Sequence, residues 1–324
     1  MVWLIGSKGM LGKEVSRQLT QNKIQWIGTD RDIDITDSEQ LDSFADSHDV
    51  TSSQTGNAVS QGKSSEKITW VINCSGYTNV NKAEEEPDLA ASINEIGVRN
   101  ITRTTRRIGA RLIHISTDYV FDGTAHEPYT EESKKNPLGI YGKTKSDGEN
   151  AVQKEMTQYY ILRTAWLYGF EGNNFVYTMT NAMNSKPEVK VVNDQKGSPT
   201  LASDLAVVIC KIIESANTSR HLFGSYSALP YGIYNYSNAG ETTWFDFASK
   251  IYELGKKYGR ITQECNVNPC SSDDFPSNVK RPAYSVLSKA KIQNLLRIKI
   301  PSWEESLEKF IKSERFNILQ GMKK

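Results

Sequence analysis

An α/β fold wound around a parallel sheet is predicted by three observations. Short apolar runs alternate with amphipathic stretches through the first half of the chain. A glycine turn joins the first run to the first amphipathic stretch. Hydrophobic residues make up 38% and charged residues 24% of 324 positions, enough apolar material for a sizeable core. A wholly disordered chain is thereby excluded.

Taken in order, Val2–Ile5 reads as a buried strand, and Leu11, Val15 and Leu19 recur at helical spacing. Ile24–Ile27 is a second strand, Glu39–Asp46 a helix and Thr69–Asn73 a third strand. Ala90–Ile108 reads as a long helix, with Ile93, Gly97 or Val98, Ile101 and Thr105 on one side. Arg111–Ser116 and Tyr160–Arg163 are further strands. Strands separated by helices imply βαβ units with right-handed crossovers. Between them, residues 51–66 are polar apart from Ala58 and Val59 and read as a surface insertion. The second half is less regular. Val189–Val192 and Gly232–Tyr236 look like strands; Leu205–Glu214, Trp244–Leu254 and Trp303–Ile311 look like helices. Glu264–Pro282, with prolines at 269, 276 and 282, reads as loop.

Lys plus Arg number 39 and Asp plus Glu 38, a net charge of +1, which argues against a nucleic-acid binder. The four cysteines, Cys74, Cys210, Cys265 and Cys270, lack the spacing of a zinc site and read as reduced thiols. No apolar run reaches the length of a membrane span, and Met1–Gly6 lacks the basic start of a signal peptide. The expectation is a cytoplasmic protein without a membrane partner.

Two motifs carry chemistry. Gly6, Gly9 and Gly12 form Gly-x-x-Gly-x-x-Gly directly after the first strand. Glycine permits the tight turn and the close backbone approach that a dinucleotide pyrophosphate needs, and the helix N-terminus behind it offers free N–H groups. Asp30 stands about 20 residues on, where an acidic side chain bonds an adenosine ribose hydroxyl. Arg31 beside it suits a 2′-phosphate instead, so NADH and NADPH both remain open. The second motif is Tyr141 and Lys145, four apart on one helix face, with Asn136-Pro137 read as the helix start. An ammonium beside a tyrosine stabilises the phenolate and pulls its pKa toward neutrality.

Glycine turn and Tyr-x-x-x-Lys together resemble an extended short-chain dehydrogenase/reductase. Longer stretches narrow the resemblance: 71–84 (VINCSGYTNVNKAE), 116–123 (STDYVFDG), 141–145 (YGKTK), 163–168 (RTAWLY), 172–175 (GNNF), 193–200 (NDQKGSPT) and 280–282 (KRP). In that order, from residue 1 to about residue 310, they resemble the dTDP-4-dehydrorhamnose reductase family. The resemblance implies a Rossmann-type doubly wound parallel sheet with a smaller C-terminal substrate-binding lobe. Residues 1–166 would form the NAD(P)-binding domain, joined by later strands near 188–193 and 232–237, and 167–324 mainly the lobe.

It also implies the reaction, reduction of the C4 keto group of dTDP-4-dehydro-L-rhamnose by NADPH or NADH. Tyr141 would give the proton, Lys145 would lower its pKa and hold the cofactor ribose, and Thr117 would bond the same carbonyl oxygen. Asp118 and Trp166 would meet the substrate. Gly9, Met10 and Leu11 would lie on the pyrophosphate, Asp30 on the ribose, Asp34 and Ile35 near the adenine, and Gly76, Tyr77 and Thr78 along the cofactor. By a charge argument, Arg281 would neutralise the nucleotide-sugar diphosphate. Some members of the family form homodimers around Mg2+, and Glu14 matches one acidic position, although one glutamate makes no metal site.

Two alternatives stand beside the reductase. A nucleotide-sugar epimerase or dehydratase shares the scaffold, but a dehydratase takes an Asp-Glu pair after the threonine, and here Tyr119 follows Asp118. A non-catalytic NADP-binding regulatory subunit, like that of methionine adenosyltransferase, also resembles this family. The complete Thr117, Tyr141, Lys145 set favours the reductase.

Overall fold

Six short strands form one parallel sheet because each is apolar on both faces, as a sheet covered by helices on both sides requires. In the computed structural model, which describes residues 1–48, 67–218, 229–275 and 278–317, they are β1 (Val2–Ile5), β2 (Trp26–Thr29), β3 (Trp70–Asn73), β4 (Arg111–Thr117), β5 (Tyr159–Thr164) and β6 (Gly232–Asn235). Their order is β6-β5-β4-β3-β1-β2. Leu4 aligns with Ile72 on one side and Gly28 on the other. The reversal of winding at β1 and β3 opens a crevice at the carboxyl ends of the strands, where ligands of such sheets bind.

Alternation along the strands divides the core. Val2, Leu4 and Ile72 pack with Leu11, Val15 and Leu19 of the first helix (Met10–Gln21) and with Leu205, Ile209 and Ile212 of the Ala202–Thr218 helix. Trp3, Ile5, Val71 and Leu112 face the other way, onto Leu41, Ile101 and Val152. A third, aromatic cluster holds the second lobe, with Tyr168, Phe170, Tyr177, Phe247 and Phe310 at its centre.

Five expectations need correction. The second strand starts at Trp26 rather than Ile24: Ile24 N–H still donates to the Leu19 carbonyl at 2.9 Å, closing the first helix through left-handed Lys23. The segment 188–193 does not return to the sheet. Glu188–Val192 pairs in parallel with Asn266–Cys270, with Glu188 and Lys190 exposed and Val189 and Val191 buried, a one-faced pattern unsuited to a sheet covered on both sides. That pairing also places a strand inside the segment 264–282 read as loop. Asn136 does not cap the catalytic helix: its side chain donates to Asp122 at 3.0 Å, and the helix begins at Ile140, whose N–H is taken by the Glu84 carboxylate at 2.7 Å. The long helix over 90–108 also differs in detail, containing a π-helical stretch, Ser92–Gly97, between Pro87–Ala91 and Val98–Arg107. The polar insertion 51–66 lies outside the described residues.

Candidate active site

The glycine turn is shaped by steric necessity. Gly6 has φ +76°, and a Cβ there would lie 2.8 Å from the Ser75 backbone nitrogen; a Cβ on Gly12 would overlap the Gly6 carbonyl oxygen. Gly6 and Ser7 N–H groups both donate to the Thr29 carbonyl, at 2.9 and 3.0 Å, pinning the turn to β2. Gly9 is the N-cap of the first helix and offers no side chain to the first-turn N–H groups, which leaves them for an anion. Leu11 points into the core, so only its backbone is available to a ligand. This tightly packed turn, with free helix N–H groups behind it, fits a dinucleotide pyrophosphate.

Asp30 is drawn into the turn: it accepts from the backbone N–H groups of Lys8 and Arg31, both at 3.0 Å. Arg31 is exposed. Asp34 accepts from the backbone and hydroxyl of Thr36, and Ile35 is a buried wall against Gly97.

Past β3, the loop holding Gly76, Tyr77 and Thr78 is gripped by a residue that sequence reasoning missed. Asn94, fully buried in the π-helical stretch, accepts from Tyr77 N–H at 2.9 Å and donates to the Tyr77 carbonyl at 3.1 Å and to Thr144 Oγ1 at 3.2 Å. One side chain thus ties the cofactor loop to the catalytic helix. Gly76 faces Lys145, whose Nζ would be 3.8 Å from a Cβ at that glycine. The Tyr77 hydroxyl turns away to Glu86 at 2.6 Å, and Thr78 is exposed.

Thr117 ends β4 and sits beside Tyr141 of the Ile140–Glu155 helix, opposing the rise of its phenol pKa. Thr117 Oγ1 also donates to Asp118 Oδ1 at 3.0 Å. The Tyr141 ring meets Tyr119 edge-on, centroids 5.5 Å apart; Arg281, near Tyr119, opposes the rise of its phenol pKa and donates to Asn81 at 3.1 Å. Thr117, Asp118 and Tyr141 therefore gather around Tyr119, an unforeseen member, with Arg281 near it.

Burial dominates the electrostatics here. It pushes the Asp118 carboxyl up to about 6, against the hydrogen bonds of Ser285 and Thr117. It pulls Lys145 down to about 8, partly offset by Glu149. The Tyr141 phenol is raised well above its usual range, chiefly by burial, with Thr117 opposing. The Lys145 ammonium, on the same helix one turn on, donates to the Ile115 carbonyl at 2.6 Å. Cys74, pushed up to about 12 by burial beside Lys145, stays a neutral thiol.

Below this wall, the buried carboxylate of Glu149, one turn after Lys145, accepts from Ser116 at 2.6 Å and from Arg163 at 2.9 and 2.8 Å. The clamp joins the catalytic helix, β4 beside Thr117, and β5. An arginine inside an apolar strand was its visible signal in the sequence.

Trp166 stands across the crevice with its indole stacked on Trp244. Glu14 does not suit a cation: it is buried, and its carboxylate is paired with Arg17 at 2.7 Å and with Arg315. Two guanidiniums already neutralise it and would repel a metal ion. Among the described residues no group of three or more His, Cys, Asp or Glu side chains gathers as metal ligands would. Among them, too, no helix is long and apolar enough to cross a membrane.

Comparison with known proteins agrees with this geometry. The family pattern described as "RmlD substrate binding domain" matches residues 1–316. A dTDP-4-dehydrorhamnose reductase of Escherichia coli K12 is 30% identical over 310 residues, 96% of each chain. The crystal structure of a dTDP-4-dehydrorhamnose reductase from Clostridium acetobutylicum superposes with a TM-score of 0.82 at 39% identity, covering 96% of this chain and 98% of that one. The Bacillus anthracis enzyme, solved in complex with NADP, gives 0.80 at 36% identity over 95% and 97%. With its glycine cradle, its Thr-Tyr-Lys wall and a match along nearly its whole length, the chain belongs to the dTDP-4-dehydrorhamnose reductase family.

Proposed function

We propose that this chain reduces the C4 keto group of dTDP-4-dehydro-L-rhamnose to the alcohol of dTDP-L-rhamnose, with NADPH as reductant. The observation that carries the reading is the gathering of Thr117, Asp118 and Tyr141 around Tyr119, beside the loop where Gly76 faces Lys145. When bound, the nicotinamide cofactor supplies the hydride.

The chain's own groups do the rest. First-turn N–H groups behind Gly9 hold the pyrophosphate. Lys145, on the floor opposite Gly76, holds the nicotinamide ribose. Tyr141, kept protonated at neutral pH by its burial, hands its proton to the carbonyl oxygen as charge develops there, and Thr117 donates a hydrogen bond to the same oxygen. Arg281 and the Asn81 that holds it lie where a diphosphate would be neutralised, while Asp118 and Trp166 line the sugar. NADPH is favoured over NADH because Asp30 is engaged by two backbone N–H groups while Arg31 projects free of the turn toward a 2′-phosphate.

Purified protein mixed with dTDP-4-dehydro-L-rhamnose and NADPH is expected to consume NADPH, followed by its absorbance, and to form dTDP-L-rhamnose. Cofactor binding without consumption would overturn the reading and favour a regulatory subunit.

A further inference from the structure

Trp166 has φ +47°, a left-handed backbone that a bulky aromatic residue adopts only when its surroundings impose it. Three neighbours do so. Its carbonyl accepts from Thr200 N–H at 3.2 Å, fixing the chain as it enters the short strand Leu167–Tyr168. One edge of the indole lies against Gly197, where any Cβ would overlap ring atom Cε2. Its face stacks on Trp244, centroids 3.5 Å apart and planes within 8°. Trp244 is itself held: it opens the Trp244–Lys257 helix, capped by Thr243, and leans on Phe175 at 4.5 Å. Gly197 and Thr243 belong to adjacent short strands that pair antiparallel, so the two sides of the slot are joined by backbone.

Trp166 also touches the other half of the site. It packs against the cluster of Val120, Phe121, Tyr129, Ala165 and Leu287, which follows Thr117 and Asp118 in the chain. Neither tryptophan is fully buried.

We propose that Trp244 is a positioning residue for the nucleotide-sugar substrate. Stacked on Trp166 and opposed by Gly197, it holds that indole as a fixed wall for the hexose ring. This rests on the reading that Trp166 meets the sugar.

The test is steady-state kinetics with NADPH and dTDP-4-dehydro-L-rhamnose. Trp244→Leu is expected to raise the sugar KM about three- to tenfold, the range one stacked aromatic pair supports. The kcat should stay within about threefold and the NADPH Kd should not move, a split that general loosening would not give. Trp244→Phe should recover most of the loss by keeping a stack. Gly197→Ala should raise the same KM with Trp244 intact, by pushing the indole from its other side. If Trp244→Leu fails to fold, the Phe and Gly197→Ala variants read the same question. A wild-type KM in a folded Trp244→Leu or in Gly197→Ala overturns the proposal. Trp166→Ala separates the layers: an unchanged KM there sinks the underlying assignment of Trp166, whereas a raised KM there with a wild-type Trp244→Leu sinks only the role of Trp244.

Discussion

The cofactor side and the substrate side of the crevice are built by different means. The cofactor side is backbone: a glycine turn, free helix N–H groups, and a loop held by Asn94 through main-chain bonds. Its chemistry is set within short stretches of chain. The substrate side is assembled from side chains far apart in sequence, with Tyr119 against Tyr141, Arg281 on Asn81, and Trp166 between Gly197 and Trp244. A backbone site tolerates little variation in residue type at a few positions. A side-chain site can be retuned one residue at a time while the cradle stays as it is.

The sharpest break in this comparison is at Tyr141, where the sides meet. Tyr141→Phe is expected to lower kcat by about 10²- to 10⁴-fold, the range for loss of a general acid, with NADPH binding retained in a fluorescence titration. A variant that kept full rate would remove Tyr141 as proton donor.

The clamp beneath both sides comes next. Arg163→Leu leaves the buried Glu149 carboxylate without its bidentate partner and should lower unfolding stability by about 3–5 kcal/mol in a denaturant titration. Adding Glu149→Gln should restore part of that loss, because the buried carboxylate left with Lys135 alone, at 3.2 Å, is then neutral.

A pH profile separates the sides by sign. Asp118, raised to about 6, lacks its charge below that pH, and Lys145, lowered to about 8, loses its charge above it. The kcat/KM should therefore fall about tenfold per pH unit on each side of a plateau between those values. Lys145→Met should abolish the alkaline limb and leave the acid one.

The smallest effect is expected at the rim. Arg31→Ala should reduce the preference for NADPH over NADH by about fivefold, as befits an exposed charge, with kcat unchanged.

The difference between the two sides also explains what could be read in advance. Gly6 and Gly12 announce the cradle because only glycine fits there, and the apolar runs announce the sheet because parallel strands are buried on both faces. The helix start at Ile140 was hidden because its cap comes from Glu84, 56 residues away. The π-helical stretch was hidden because one extra residue per turn barely disturbs the apolar spacing. The fate of Glu188–Val192 depended on its partner, Asn266–Cys270, which contains Pro269 and so looked like loop. Tyr119, Ser285 and Trp244 acquire roles only through tertiary contacts, which no local pattern encodes.

The pairing of Glu14 with Arg315 joins two residues 301 positions apart. Glu14 is buried in the first helix, and its carboxylate is shared by Arg17 and by Arg315, which is seated also over the Phe170 ring at 4.0 Å. The helix behind the glycine cradle is therefore latched by charge to a distant part of the chain, so loosening of either end is felt at the other.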